Sequence, residues 1–150
     1  SSFVNTAQLN EDLFKKSKHL TLSILGASSK NQIQDIVQKS FTENFGVNNC
    51  KLAFYSNSGI GAIEDKTGMS LHKGAVYCGS FSKEKMEFLF KDEKVESVAL
   101  AVLVDNNEIG ILMLGSYERT RYLGDEDTTF IEYIRDILEK KLELIDSIDA

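Results

Sequence analysis

The segment from residue 97 to residue 121 constrains the fold most, because two apolar runs in it flank a short polar turn. Residues 98–104 and 109–114 are apolar, and Asn106 and Asn107 lie at the centre of the segment that separates them. Asparagine tolerates the positive φ angles that a two-residue hairpin turn requires. The spacing therefore predicts a β-hairpin in which Val104 pairs with Ile109.

This register divides the side chains of the hairpin between two faces of a sheet, because successive strand residues point to opposite sides. One face carries Val98, Leu100, Val102, Val104, Ile109, Ile111 and Met113. The other carries Ser97, Ala99, Ala101, Leu103, Gly110, Leu112, Leu114 and Ser116. The side chains at the outer end of the second face are small, so either a packed helix or a small ligand can approach the backbone there.

Composition restricts the classes of partner. The chain has 150 residues, of which 42% are hydrophobic and 27% charged, as in one ordinary globular domain. No apolar run approaches the ~20 residues that span a bilayer, so we expect no membrane partner. The net charge is −6, without a dense basic cluster, and this charge does not favour nucleic acid as a partner.

Residues with metal or redox chemistry are few. Cys50 and Cys78 have neither the number nor the spacing of a disulfide framework or a zinc site, which predicts a reducing, cytoplasmic environment. His19 and His72 have no ligating neighbours at metal spacing, and the sequence identifies no cofactor. No signal peptide is visible, and the chain opens at Ser1 without a methionine, so we expect native sequence upstream.

Helical periodicity and capping residues predict the remaining elements. Residues 6–25 form an amphipathic helix that ends at Gly26, and a second helix begins after Ser29. Strands are expected at 50–55 and 76–79 and a short helix at 83–90, whereas 56–74 reads as mostly loop with a short strand at about 62–64. We thus expect one domain, with an N-terminal helix (1–26), a core (27–124) and a C-terminal helix (125–150).

The C-terminal helix carries two apolar stripes, which is more than one contact with a sheet requires. We therefore expect a homodimer through the terminal helices, in which residues 130–148 pack with the apolar positions of the first helix. Those positions are Leu9, Leu13, Leu20 and Ile24.

Two arginines follow the second strand of the hairpin. Arg119 and Arg121 either pair with the acidic residues Glu118, Asp125 and Asp127 at the surface, or bind an anionic small molecule. The thiol of Cys78 has two interpretations as well, a reactive exposed group or a small buried one.

The order of elements and several motifs resemble a bacterial GAF-like family, catalogued as domain of unknown function 484. The resemblance rests on Cys-Gly before a short helix ending in Phe-Leu-Phe, on Ser-Val-Ala-Leu at 97–100, on Gly-Ile-Leu-Met-Leu-Gly-Ser at 110–116 and on Thr-Thr-Phe at 128–130. It covers Val76 to about Leu142. It implies an α+β fold with a central antiparallel sheet, with the N- and C-terminal helices packed on one face and a pocket on the other. GAF domains typically bind small molecules and commonly dimerise.

The preferred functional hypothesis is a non-catalytic regulatory module that binds a small molecule, because the sequence assembles no nucleophile, base and orienting group. The candidate ligand contacts are Cys78, Gly79, Phe81, Phe88, Ser97, Ala99, Ser116, Tyr117 and Arg119. One alternative is a cysteine-dependent redox enzyme of the methionine sulfoxide reductase type, which needs Cys50 and Cys78 within about 7 Å, Cα to Cα. A purely structural dimerisation domain is the other alternative.

Overall fold

The structure is a computed structural model that describes residues 2–122 and 124–149. Helices and strands mix along the chain, in the order α1 (Ser2–Leu25), α2 (Lys30–Asn44), β1 (Asn49–Tyr55), α3 (Asn57–Thr67), β2 (Val76–Gly79), α4 (Lys83–Phe90), β3 (Ser97–Asp105), β4 (Glu108–Ser116) and α5 (Asp125–Asp149). The four strands form one antiparallel sheet in the order β1-β4-β3-β2. The fold is therefore α+β, as predicted.

The central hairpin has the predicted register. Val104 lies opposite Ile109 and Asp105 opposite Glu108, which leaves a two-residue turn. Asn106 adopts a φ of 53°, the left-handed conformation that asparagine tolerates. The hairpin is confirmed.

The two faces of the sheet bury separate apolar clusters. On the small-residue face, α1, α2 and α5 cover a cluster that includes Ala99, Ala101 and Leu112. On the other face, α3 and α4 cover Val98, Leu100 and Ile111. Of the two expectations for the small-residue face, the packed helix is the one found, since α5 lies directly against β3.

The expectation that residues 56–74 are mostly loop is wrong, because α3 occupies 57–67. The hydroxyl of Ser56 accepts a hydrogen bond from the amide of Gly59 (3.2 Å) and caps the helix. Gly68 ends it with a φ of 75°. Two glycines inside the helix weaken its apolar periodicity in the sequence, yet Ile60 and Ile63 are buried against the sheet. A helix therefore covers this part of the face.

Part of the predicted intersubunit surface belongs to the core instead. Leu20 and Ile24 of α1 are fully buried between the helices and the sheet, so assigning these two residues to a dimer interface was wrong. Leu13 is half-exposed. The side chain of Leu9 lies outside the described residues.

An ion pair ties α2 to the hairpin turn. Lys30, the first residue of α2, contacts the carboxylates of Asp105 and Glu108 on either side of the turn, the latter at 2.8 Å. Asp105 is only 5% exposed. Burial disfavours the charged forms of both groups. Hydrogen bonds and charge from Asp105 and Glu108 nevertheless raise the pKa of Lys30, and hydrogen bonds with Asp146 and Lys30 lower that of Asp105.

We expect Lys30→Met to lower the free energy of unfolding at neutral pH by about 1–3 kcal/mol, because the Asp105 carboxylate would stay buried without its cation. The contribution of Asp105 is complete above about pH 4 and is lost as the pH falls through its lowered folded pKa. The contribution of Lys30 is complete below about pH 10 and is lost as the pH rises through its raised folded pKa. Urea unfolding of both proteins at pH 7 and pH 3 measures the loss of stability that the substitution causes, and this loss should be smaller at about pH 3.

Lys15→Met is the matched control, since Lys15 pairs with Glu11 on an exposed surface of α1, where both side chains are more than half exposed. It should change stability little. Equal effects of the two substitutions would contradict a special role for the Lys30 contact.

Candidate functional site

The nine predicted ligand contacts do not surround one cavity. Strand alternation places Cys78, Ser97, Ala99 and Ser116 on the face that the helices α1, α2 and α5 cover. Phe81 and Arg119 line a cavity beside the opposite cluster. The structure therefore brings Phe81 and Arg119 together and separates them from Cys78 and Ala99.

The cavity with Arg119, here called the Arg119 cavity, has a volume of about 270 Å³. Its apolar wall consists of Phe81 from the β2–α4 connection, Met86 of α4 and Val95 from the α4–β3 connection. Met86 and Val95 are buried, so this wall is part of the packed core. Most small-molecule sites are predominantly apolar with a few polar groups, so the Arg119 cavity, with three apolar and six polar or charged residues, suits a polar ligand.

Charged side chains of both signs complete the lining of the Arg119 cavity. Lys83, Lys94 and Arg119 supply positive charge, and Glu93 and Glu96 supply negative charge. None of these five side chains forms an ion pair with another described residue. The amine of Lys94 lies 5.9 Å from the centre of the Tyr117 ring, and the other four charged groups are available to contact a ligand. Of these five residues only Arg119 was predicted from the sequence, because charged residues in a surface connection carry no distinctive pattern.

Two of the predicted contacts, Ser97 and Ser116, position the connection that carries Arg119. The hydroxyl of Ser97 donates to the carbonyl of Glu118 (2.7 Å), and the amide of Glu118 donates to the hydroxyl of Ser116 (3.1 Å). Both serines are buried on the helix-covered face. Their hydroxyls hold the backbone next to Arg119 rather than face the Arg119 cavity.

Tyr117 also has a structural role in the same connection. Its amide donates to the side chain of Asn48 (2.9 Å), and its hydroxyl donates to the carboxylate of Asp92 (2.8 Å). Hydrogen bonds from Tyr117 and from the amide of Lys94 lower the pKa of Asp92. Tyr117 thus links β4 to the connection that follows α4.

The two arginines differ in whether they form a surface ion pair. Arg121 lies 3.5 Å from the carboxylate of Asp127, so the surface ion pair is confirmed for this residue. Arg119 has no such partner among the described residues. Its guanidinium retains its full set of donors for an anion.

Phe88 and Gly79 lie outside the lining of the Arg119 cavity. Phe88 is half-exposed on α4, where the amine of Lys66 lies 6.0 Å from its ring centre. Gly79 ends β2 with a φ of 143°, which an L side chain rarely adopts. The chain turns there toward Phe81.

The sheet register separates the two cysteines. Cys50 lies opposite Leu114, Leu114 opposite Ala99, and Ala99 opposite Cys78. Three strand spacings of about 4.8 Å put the two Cα atoms about 14 Å apart, too far for a disulfide. Burial raises the pKa of both thiols, which makes each less reactive. A Cys50–Cys78 redox pair is therefore not available in this fold.

A second cavity, here called the Tyr122 cavity, lies between the small-residue face and the helices. Its volume is about 200 Å³, and Ala99 and Leu114 of the sheet and Phe130 of α5 contribute to its wall. Tyr122 lines it and is 3% exposed, and its hydroxyl has no hydrogen-bond partner among the described residues. Burial is the main cause that raises the pKa of Tyr122 to about 12. Tyr122 was not predicted from the sequence as a site residue, since burial of a hydroxyl is not visible in a sequence.

The described residues contain neither a metal site nor a membrane-spanning helix. No group of three or more histidine, cysteine or acidic side chains there has the geometry to hold a metal ion. No helix in the described part of the chain combines the length and the apolarity needed to cross a membrane.

We expect Tyr122→Phe to raise the free energy of unfolding by about 1 kcal/mol, because it removes a buried hydroxyl that has no partner. Tyr77→Phe is the matched control and should lower the free energy of unfolding, because it removes a hydroxyl that donates to the carbonyl of Ser70 (2.7 Å). Urea unfolding measures both. A loss of stability in Tyr122→Phe as large as that in Tyr77→Phe would show that the hydroxyl of Tyr122 is paired.

Comparison with known proteins identifies a family without an assigned activity. No curated protein matches the chain significantly. The family model described as protein of unknown function, DUF484, matches residues 1–146, and so extends over the N-terminal half as well as the segment that carried the resemblance. Because the match covers nearly the whole chain, this protein belongs to the DUF484 family.

Proposed function

We propose that this protein is a non-catalytic regulatory module that binds a small anionic molecule in the Arg119 cavity. The observation that carries the proposal is that Phe81 and Arg119, which lie far apart in the sequence, line the same cavity of about 270 Å³. The GAF-like order of elements supports a small-molecule role, because GAF domains typically bind such ligands; this support is an analogy at the level of the fold.

The chemistry of the lining defines the ligand class. The guanidinium of Arg119 suits a carboxylate or a phosphate, which it contacts through two parallel hydrogen bonds. Lys83 and Lys94 add positive charge, while Phe81, Met86 and Val95 suit an apolar group on the same molecule. Glu93 and Glu96 favour a ligand that also carries a hydrogen-bond donor.

A binding role fits the polar contacts better than a catalytic one. Neither histidine forms a hydrogen bond to a serine or cysteine side chain in the described part of the chain, and the ring of His72 forms a hydrogen bond with the carbonyl of Lys73. An activated nucleophile needs a base within hydrogen-bond reach. We therefore propose binding without turnover.

Arg119→Lys tests the proposal, with benzoate and phenyl phosphate as probes and benzamide as the uncharged analogue. We expect the two anions to bind more tightly than benzamide. The substitution should weaken the anions by about 1.5–3 kcal/mol, because lysine does not reproduce a two-point contact. Isothermal titration measures the affinities, and the melting temperature of the ligand-free protein should stay the same.

Arg121→Lys is the matched control, because Arg121 is in the same connection but pairs with Asp127. It should leave anion binding unchanged. Equal loss in both variants, or equal affinity for benzoate and benzamide, would contradict the proposed site. A lower melting temperature of Arg119→Lys would show that Arg119 has a structural role.

We further propose that the protein forms a homodimer through α1 and α5. Most of the exposed large apolar side chains in the described residues lie on these two helices, namely Leu13, Phe14, Leu22, Leu25, Tyr133, Leu144 and Ile148. Leu13, Phe14, Leu22 and Tyr133 share a groove of about 510 Å³ between α1 and α5. An exposed apolar patch of this kind typically marks an interaction surface.

We expect Phe14→Glu to shift the protein toward the monomer without a loss of stability, because Phe14 is 69% exposed and contributes little to the core. Phe88→Glu is the matched control, since Phe88 is exposed on α4, away from both terminal helices, and it should leave the association unchanged. Sedimentation velocity over a concentration series measures the association. A wild-type protein that stays monomeric throughout the series would contradict the dimer.

A further inference from the structure

We propose that the Tyr122 cavity is a second binding site, which takes an uncharged, mostly apolar small molecule whose single hydrogen-bond acceptor pairs with the hydroxyl of Tyr122. This site lies on the opposite face of the sheet from the Arg119 cavity. The inference does not depend on the anion site.

The walls of the Tyr122 cavity are apolar and aromatic. Phe41 and Phe45 of α2 and Phe130 of α5 form a cluster of rings, with centroids 5.0 Å apart for Phe41 and Phe45 and 5.6 Å apart for Phe45 and Phe130. Ala99 leaves room on the sheet, because its side chain is a single methyl group at a position that faces the helices. A dry apolar cavity of about 150 Å³ holds benzene. The Tyr122 cavity, at about 200 Å³, has room for a substituted single ring.

The hydroxyl of Tyr122 supplies the specificity. It is buried without a partner among the described residues, and most buried hydroxyls in proteins have one. Since the phenol is protonated at neutral pH, its unused capacity includes a donor, which selects a carbonyl, an ether or a ring nitrogen. A ligand with such an acceptor gains a hydrogen bond that an apolar ligand of the same shape does not.

The charged groups at the Tyr122 cavity favour an uncharged ligand. The Arg121 guanidinium and the Asp127 carboxylate both line the cavity, but they pair with each other at 3.5 Å. The pair is partly exposed, so it forms an outer wall, together with the half-exposed Leu13. The Arg121 guanidinium also lies 5.0 Å from the centre of the Tyr122 ring, so this outer wall adjoins the proposed hydrogen-bond donor.

The test compares acetophenone with α-methylstyrene, in which a methylene group replaces the carbonyl oxygen. Methyl resonances of Ala99, Leu114 and Val47, which line the cavity, are followed by NMR in the full chain as each probe is added. We expect saturable shifts for both probes. In Tyr122→Phe, the affinity for acetophenone relative to α-methylstyrene should fall roughly three- to tenfold, the value of one net hydrogen bond.

A second pair of variants tests the location. Ala99→Val adds two methyl groups inside the cavity and should weaken both probes. Ala101→Val adds the same groups to the next buried residue on that face, outside the cavity, and should leave both affinities unchanged.

Two results would overturn the proposal. One is the absence of saturable shifts at the three methyl positions up to the solubility limit of both probes. The other is an unchanged ratio of affinities in Tyr122→Phe. Arg119→Lys separates this inference from the proposed function, since it should weaken benzoate and leave acetophenone binding unchanged.

Discussion

The register of the β3–β4 hairpin is the constraint on which the rest of the structure depends. The two strands are the centre of the sheet, and their alternation puts small residues on one face and larger ones on the other. A shift of one residue would exchange the two faces. The turn at Asn106 and the contact of Lys30 with Asp105 and Glu108 hold this register. Helices then pack on both faces, closely where the sheet is small.

The connection from β4 to α5 reaches both cavities. Buried serines at 97 and 116 hold its backbone at Glu118. Arg119 lines the cavity beside the cluster under α3 and α4, and Tyr122 lines the cavity under the terminal helices. Residues only three positions apart thus line cavities on opposite faces of the sheet, because the connection passes the end of the sheet. An occupant of either cavity would contact this connection.

The terminal helices have two roles, packing in the core and presenting an exposed apolar groove, and different residues fill each role. Leu20, Ile24, Ile134 and Leu138 are fully buried against the sheet, so they stabilise the fold. Phe14, Leu22 and Tyr133 remain exposed along a groove, so they are available for association. The wide apolar surface of α5 therefore contributes both to the core and to the exposed groove, and most of it is in the core.

Local patterns determined the elements whose signals are short-range: the hairpin, the start of α2 after Ser29, and the alternation of β3 and β4. They also selected Phe81 and Arg119. They missed α3, because glycines at 59 and 61 dilute its apolar period and its burial depends on the sheet beneath it. Which side chains converge is a property of tertiary packing. Only the tertiary structure shows that two strands lie between Cys50 and Cys78. It also shows that Ser97 and Ser116 form hydrogen bonds with the backbone of Glu118 and that the hydroxyl of Tyr122 is buried. Each of these features depends on contacts between residues that are distant in the sequence.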